Sequence, residues 1–195
     1  MKTLIIIILS ACVTHSVFAQ SNVTTSYVVG IPTGSVGDFI GKTSWRGISF
    51  DYRYSIQPNV AVGMNVAWST FYEEMGRGTY TSENASLTGK QFRYSNHVPI
   101  VATVTCFSQP DGPMNPFASF GVGTMYSRRN TDMNFYTIEE EAWNFLLQPE
   151  IGVQYTIGPG VAFAISAKYN YGLEAGSELP DAQSYFALNI GFAFF

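Results

Sequence analysis

The chain of 195 residues carries 12% charged and 15% aromatic side chains and a formal net charge of −4. Soluble domains average about 25% charged residues, and a mildly acidic chain without a basic stripe lacks the footprint of a nucleic-acid binder. Beyond residue 20 no apolar run approaches the roughly 20 residues of a spanning helix, so sparse charge here points to a membrane crossed by strands.

The N-terminus, MKTLIIIILSACVTHSVFAQ, has a basic Lys2, an apolar stretch over 4–13 and a Val17-Phe18-Ala19 cleavage pattern. It reads as a secretory signal peptide over 1–19, leaving a barrel over 20–195. Leu9-Ser10-Ala11-Cys12 also matches a lipoprotein signal, which would place a lipid on Cys12. The short apolar core and the later site favour cleavage after Ala19. Cys106 is then the only cysteine left, which excludes an internal disulfide.

Eight extended segments follow, at 24–32, 44–56, 59–72, 92–107, 116–128, 143–157, 160–173 and 184–195. Short turns at Gln57-Pro58-Asn59, at 109–115 and at Gly158-Pro159-Gly160 carry the residues that tight reversals demand. Longer polar connections lie near 33–43, 73–91, 129–142 and 174–183. Short and long connections alternate. That is the arrangement of outer-membrane barrels, with short periplasmic turns and long extracellular loops. The expected fold is all-β: an eight-stranded antiparallel up-and-down transmembrane β-barrel with both termini periplasmic.

The alternation also says which face meets what. In 160–173, Val161, Phe163, Ile165, Tyr169 and Tyr171 oppose Ala162, Ala164, Ser166, Lys168 and Asn170. Bulky residues occupy one face of each patterned strand, and Gly, Ala, Ser, Asn and Thr the other. An eight-stranded barrel is narrow inside, so the small and polar face turns inward and the bulky face meets lipid. Asp51, Arg53, Arg93, Glu150 and Lys168 all share the small-residue frame, as does His97. A charge facing lipid near mid-membrane would cost about 2–4 kcal/mol. Aromatic residues toward the segment ends, including Trp68, Tyr72, Tyr126 and Trp143 at one end and Tyr54, Phe107, Phe117 and Tyr155 at the other, fit two interfacial girdles. If Pro159 centres its turn, Glu150 and Lys168 stand directly opposite each other and are expected to pair, with Asp51 and Arg53 in the same network.

With these residues in view, the chain resembles the small eight-stranded outer-membrane barrels of the OmpA/OmpX type, the barrel domain common in Bacteroidetes. The likeness rests on the FAQ-type signal end, the alternating strands, the alternating connections and the terminal SYFALNIGFAFF. It implies a cell outer-membrane location and an aromatic C-terminus read by the barrel-assembly machinery. The alternating frame ends at Phe194, which leaves Phe195 out of phase.

The expected role is structural: an envelope or surface-contact protein acting through its extracellular loops, its interior plugged by Asp51, Arg53, Arg93, His97, Glu150 and Lys168. Loop 129–142, RNTDMNFYTIEEEA, mixes aromatic and acidic groups and is the segment to meet a surface ligand. The alternative is a narrow channel for small or hydrophobic solutes, which the interior charges oppose. A lipid-modifying barrel enzyme ranks third, because a deacylase would need His97 facing lipid beside a serine. One mature histidine and no cysteine cluster cannot build an ordinary transition-metal site. No catalytic residue, metal or cofactor is assigned. The expected partners are outer-membrane lipid and lipopolysaccharide, and the chain is expected to be a monomer. Arg46, Arg128 and Arg129 are placed at the extracellular rim, where guanidinium groups suit phosphates.

Overall fold

The computed structural model describes residues 21–82, 85–109, 112–133, 136–174, 179 and 181–195. The expected signal segment and Cys12 lie outside the described residues. The elements are β1 (Ser21–Thr33), α1 (Gly34–Phe39), β2 (Gly47–Gln57), β3 (Val60–Ser82), β4 (Ala85–Phe107), β5 (Met114–Met133), β6 (Tyr136–Gly158), β7 (Val161–Gly172) and β8 (Gln183–Phe194).

The eight strands form a closed ring in chain order, each antiparallel to its neighbours, with β1 against β8 closing the seam. Walking across the ladders from Thr24 passes Asp51, Asn65, Val101, Gly123, Leu146, Gly172 and Gln183. The walk returns to Gly34, just past the end of β1 and ten residues beyond its start at Thr24. With about 3.3 Å per residue along a strand and about 4.8 Å between strands, that offset tilts the strands by roughly 40°. A barrel so small brings facing backbones close. A Cβ at Gly63 would lie 1.9 Å from the Tyr52 carbonyl oxygen, and one at Gly191 would lie 2.0 Å from that of Thr25. Only glycine permits these approaches.

Side chains divide as the alternation predicts. Phe50, Met64, Val104, Phe120, Ile151 and Ile190 are exposed on the outer surface, while Ser49, Asn65, Thr105, Gln148 and Asn189 are buried in the lumen. The wall therefore inverts a soluble protein, with apolar residues out and polar residues in. At the short-turn end, Gly160 has φ 72° in the β6–β7 reversal. The out-of-phase Phe195 donates its N–H to the Gly160 carbonyl at 3.0 Å.

Three expectations are corrected. The described residues of segments 73–91 and 129–142 are strand, not loop. β3 pairs β4 from Val60↔Cys106 out to Ser82↔Ala85, and β5 pairs β6 out to Met133↔Tyr136. These outer hairpins carry polar residues on both faces, so they lack the apolar period that marks a strand against lipid. Phe107 and Phe117 do not join a girdle. Both are buried in the lumen, 5.8 Å apart between ring centroids, because both share the inward frame of Thr105 and Ser119. Finally, connection 33–43 contains a helix, α1.

Candidate functional site in the barrel lumen

The lumen is built in layers. Nearest the short-turn end, Asn22 donates to Gln154 Oε1 at 3.3 Å beside Phe107, which pairs with Phe117. Next come four charges. Asp51 and Arg53 lie two residues apart on β2 and so share a face. Glu150 comes from β6 and Lys168 from β7. None is more than 4% exposed.

Glu150 and Lys168 are direct partners in the ladder, but the shortest bonds cross the lumen instead. Lys168 Nζ lies 2.8 and 2.9 Å from the two Asp51 carboxylate oxygens and 3.9 Å from Glu150 Oε1. Arg53 Nη2 donates to Glu150 Oε2 at 3.0 Å and to Asp51 Oδ1 at 3.3 Å. The Arg53 guanidinium also sits 4.8 Å from the centre of the Phe117 ring. Two cations thus face two carboxylates with no net charge. Each buried ion has more than one opposite partner, as desolvated charges require. An amide network continues the layer. Lys168 Nζ donates to Ser49 Oγ at 3.3 Å, and Asn65 Nδ2 donates to the same oxygen at 2.8 Å. Gln148 Nε2 bridges Asn65 Oδ1 at 3.2 Å and Asn170 Oδ1 at 2.7 Å.

The third layer is apolar. Val28, Phe71, Val101, Met125, Leu146, Tyr185 and Ala187 converge from six strands. His97 stands among them, fully buried. Its Nε2 meets Ser95 Oγ at 2.9 Å and its Nδ1 meets Ser127 Oγ at 3.1 Å. The Phe71 and Tyr185 rings pack at 5.7 and 5.3 Å from it. Among the described residues no three His, Cys, Asp or Glu side chains converge as a metal set.

The last layer is α1 with its C-terminal cap residue Ile40. Val36 and Ile40 enter the apolar cluster with no exposed surface. Ser35 Oγ donates to the Ala182 carbonyl at 2.7 Å and accepts from Arg129 Nη2 at 3.0 Å. Arg129 also donates to Gln183 Oε1 at 2.8 Å. Arg93 Nη1 donates to the Phe39 carbonyl at 3.0 Å.

Of the residues singled out in the sequence, the charge layer brings together Asp51, Arg53, Glu150 and Lys168, while His97 and Arg93 sit in layers above. The three rim arginines separate. Arg46 is exposed, with its guanidinium 5.8 Å from the Tyr72 ring. Arg128 points outward and pairs with Glu139. Arg129 is corrected: it points into the lumen and is buried, because adjacent residues of a strand face opposite sides. The glutamates of the supposed loop stand across the ladder from arginines, Glu140 opposite Arg129 and Glu141 opposite Arg128. Sequence reading missed α1 and the apolar layer. The signal was present in GSVGDFIG, where Val36 and Ile40 stand at the i, i+4 spacing of one helix face.

A family model described as outer membrane protein beta-barrel domain matches residues 5–194. No curated protein matches the chain by sequence. Solved structures with a similar fold include Neisserial surface protein A, at 15% identity and TM-score 0.54, covering 90% of this chain and 97% of that one. OprG from Pseudomonas aeruginosa aligns at 10% identity and TM-score 0.55, covering 89% and 94%. The outer membrane protease OmpT from Escherichia coli aligns at 9% identity and TM-score 0.54, covering 93% and 99%.

Proposed function

The chain belongs to the outer membrane protein β-barrel domain family, and on that premise we propose that it is a solute-closed barrel of the outer membrane, acting as a structural and surface-contact protein. The reading rests on one observation above all: every layer of the lumen is occupied by buried side chains. An eight-stranded barrel leaves room for little else. Four charges that satisfy one another oppose the passage of ions, and the apolar layer above them opposes hydration.

In this reading the short-turn end and both termini are periplasmic, and the outer hairpins of β3–β4 and β5–β6 project from the cell. They present exposed groups to partners, among them Tyr136 and Ile138. Arg46 and Arg128 lie on the outer surface, where lipopolysaccharide phosphates would stand. The signal segment directs export, and the barrel-assembly machinery inserts the chain. Among the described residues no set supports catalysis: His97 has two serine neighbours but is sealed from lipid and solvent alike.

The test is conductance in planar bilayers. Wild-type protein should give no channel steps, and a variant lacking residues 34–41 together with Asp51→Ala and Glu150→Ala should give them. Steady ion conductance by the wild type would overturn the closed-barrel reading in favour of the narrow channel. The protein should also fold only in detergent or lipid and run heat-modifiably on gels; a stable monomer in plain buffer would refute the membrane assignment of the outer face.

A further inference from the structure

Above the charge layer the lumen changes character, and the reason lies in α1. The apolar chamber formed by Val28, Phe71, Val101, Met125 and Leu146 is closed by Val36 and Ile40, which come from a connection and not from the wall. That connection is ill-suited to stand alone as a helix. It has six residues, well short of independent stability. Gly37 lies inside it and weakens the helix relative to alanine. Thr33 makes no side-chain capping bond, and Gly34 adopts φ 53°, a hinge conformation that other residues rarely reach. What holds α1 is mostly external: Ser35 to Ala182 and Gln183, and Phe39 to Arg93. The apolar chamber is therefore filled by the element with the least stability of its own.

Two guanidinium groups stand at the same place. Arg93 and Arg129 lie 5.1 and 5.0 Å from the Phe39 ring centre. Their hydrogen bonds among the described residues go to neutral oxygens: Gln91 and the Phe39 carbonyl for Arg93, Ser35 and Gln183 for Arg129. Among the described residues, Arg129 Nε is buried with no partner. Glu140, Asp181 and Asp38 act on Arg129 through space. The charge layer is neutralised within itself; among the described residues Glu73 and Glu140 stand across the ladder from Arg93 and Arg129, but neither guanidinium is hydrogen-bonded to a carboxylate.

We propose that the chamber is a binding site for an alkyl carboxylate, whose chain takes the place of Val36 and Ile40 and whose head group is held by Arg93 and Arg129, with α1 as the stopper that the ligand displaces. A chain of medium length matches the bulk that the two branched side chains vacate. A carboxylate is the anion that a planar guanidinium fork binds in bidentate fashion, and it would give Arg129 Nε the acceptor it lacks. Binding at this level leaves the charge layer intact, so it opens no path through the barrel.

The experiment uses the protein in nanodiscs of zwitterionic phosphatidylcholine, with octanoate as the probe. In a Cys106→Ser background, an Ile40→Cys thiol should be protected from a water-soluble maleimide. Octanoate should raise its labelling rate saturably, by tenfold or more. Acetate, which lacks the chain, and octanol, which lacks the charge, should change it less than twofold. Adding Arg93→Gln and Arg129→Gln should abolish the octanoate effect. For the unaltered α1, carboxyl-13C octanoate should show saturable line broadening on wild-type discs beyond that on empty discs. No saturable broadening, or equal acceleration of labelling by octanol, overturns the proposal. Conductance is a separate readout, so a closed barrel that ignores octanoate refutes this site and leaves the closed-barrel reading standing.

Discussion

Replacing Lys168 by Met tests the charge layer most directly. Lys168 Nζ contacts both Asp51 oxygens, at 2.8 and 2.9 Å, and reaches Glu150 only at 3.9 Å. Without it, Arg53 alone must balance two buried carboxylates. Breaking a buried pair on one side costs about 3–5 kcal/mol, and Lys168→Met should fall in that range. A double-mutant cycle then separates the two acids. At an effective dielectric of about 20, the Coulomb attraction before desolvation is about 6 kcal/mol at the Asp51 distance and about 4 kcal/mol at the Glu150 distance. The hydrogen bonds made to Asp51 widen the gap, since bonds to charged groups contribute about 1.5–3 kcal/mol. The Asp51–Lys168 coupling should therefore exceed the Glu150–Lys168 coupling by about 2 kcal/mol or more. Reversible urea unfolding in lipid vesicles measures both cycles. Equal couplings for the two acids, or a Lys168→Met cost below about 1 kcal/mol, typical of a hydrated pair, would refute a dry layer organised across the lumen.

Three further outcomes can be measured alongside. Gly63→Ala places a methyl group 1.9 Å from the Tyr52 carbonyl oxygen and should prevent the β2–β3 ladder from closing, whereas Gly158→Ala meets nothing within 4 Å and should shift stability by no more than about 0.5 kcal/mol; folding yield on heat-modifiability gels reads both. Arg46→Gln with Arg128→Gln should remove stabilisation by added lipopolysaccharide without changing stability in its absence, while Arg129→Gln should lower stability in plain phospholipid; the opposite pattern would reverse the inward and outward assignments. Lys90 holds the Glu74 carboxyl below its ordinary range through a 2.6 Å hydrogen bond. The pair's contribution is thus complete above the ordinary carboxylate pKa and is lost as pH falls through the lowered one. In an NMR titration Lys90→Met should raise the Glu74 midpoint toward the ordinary carboxylate range, and an unmoved midpoint would show that the pair does not form.

How much of this was legible depended on which solvent each segment meets. Where a strand crosses lipid, burial selects one face, so residues such as Val161, Phe163 and Ile165 announce both the strand and its orientation. Where β3 to β6 rise past that boundary, water touches both faces of Asn130–Met133 and Tyr136–Glu141, and the period vanishes although the ladder continues. The Glu150–Lys168 register was readable from Pro159 because a tight turn sets the pairing behind it. The choice of Asp51 as the nearer partner of Lys168 was not. It depends on a distance across the lumen between strands far apart in sequence, set by tilt and ring closure. Leu146, Met125 and Val28 hid for a related reason. Each follows the inward frame of its strand, but their joint level in the barrel appears only once eight registers are combined.

The seam between β1 and β8 carries a kinetic consequence. Seven of the eight ladders join strands adjacent in the chain, so each can form as a local hairpin with little loop-closure entropy. The eighth joins Val23 to Phe194 and Ile31 to Phe186, and it depends on all the others. Until it forms, the intermediate is an open, curved sheet with two unpaired edges, the state most prone to pairing with another chain. Assembly of this barrel should therefore be a run of fast, local events followed by one slow, long-range closure. Changes confined to β1 or β8 should slow folding more than changes of equal thermodynamic cost in β4 or β5.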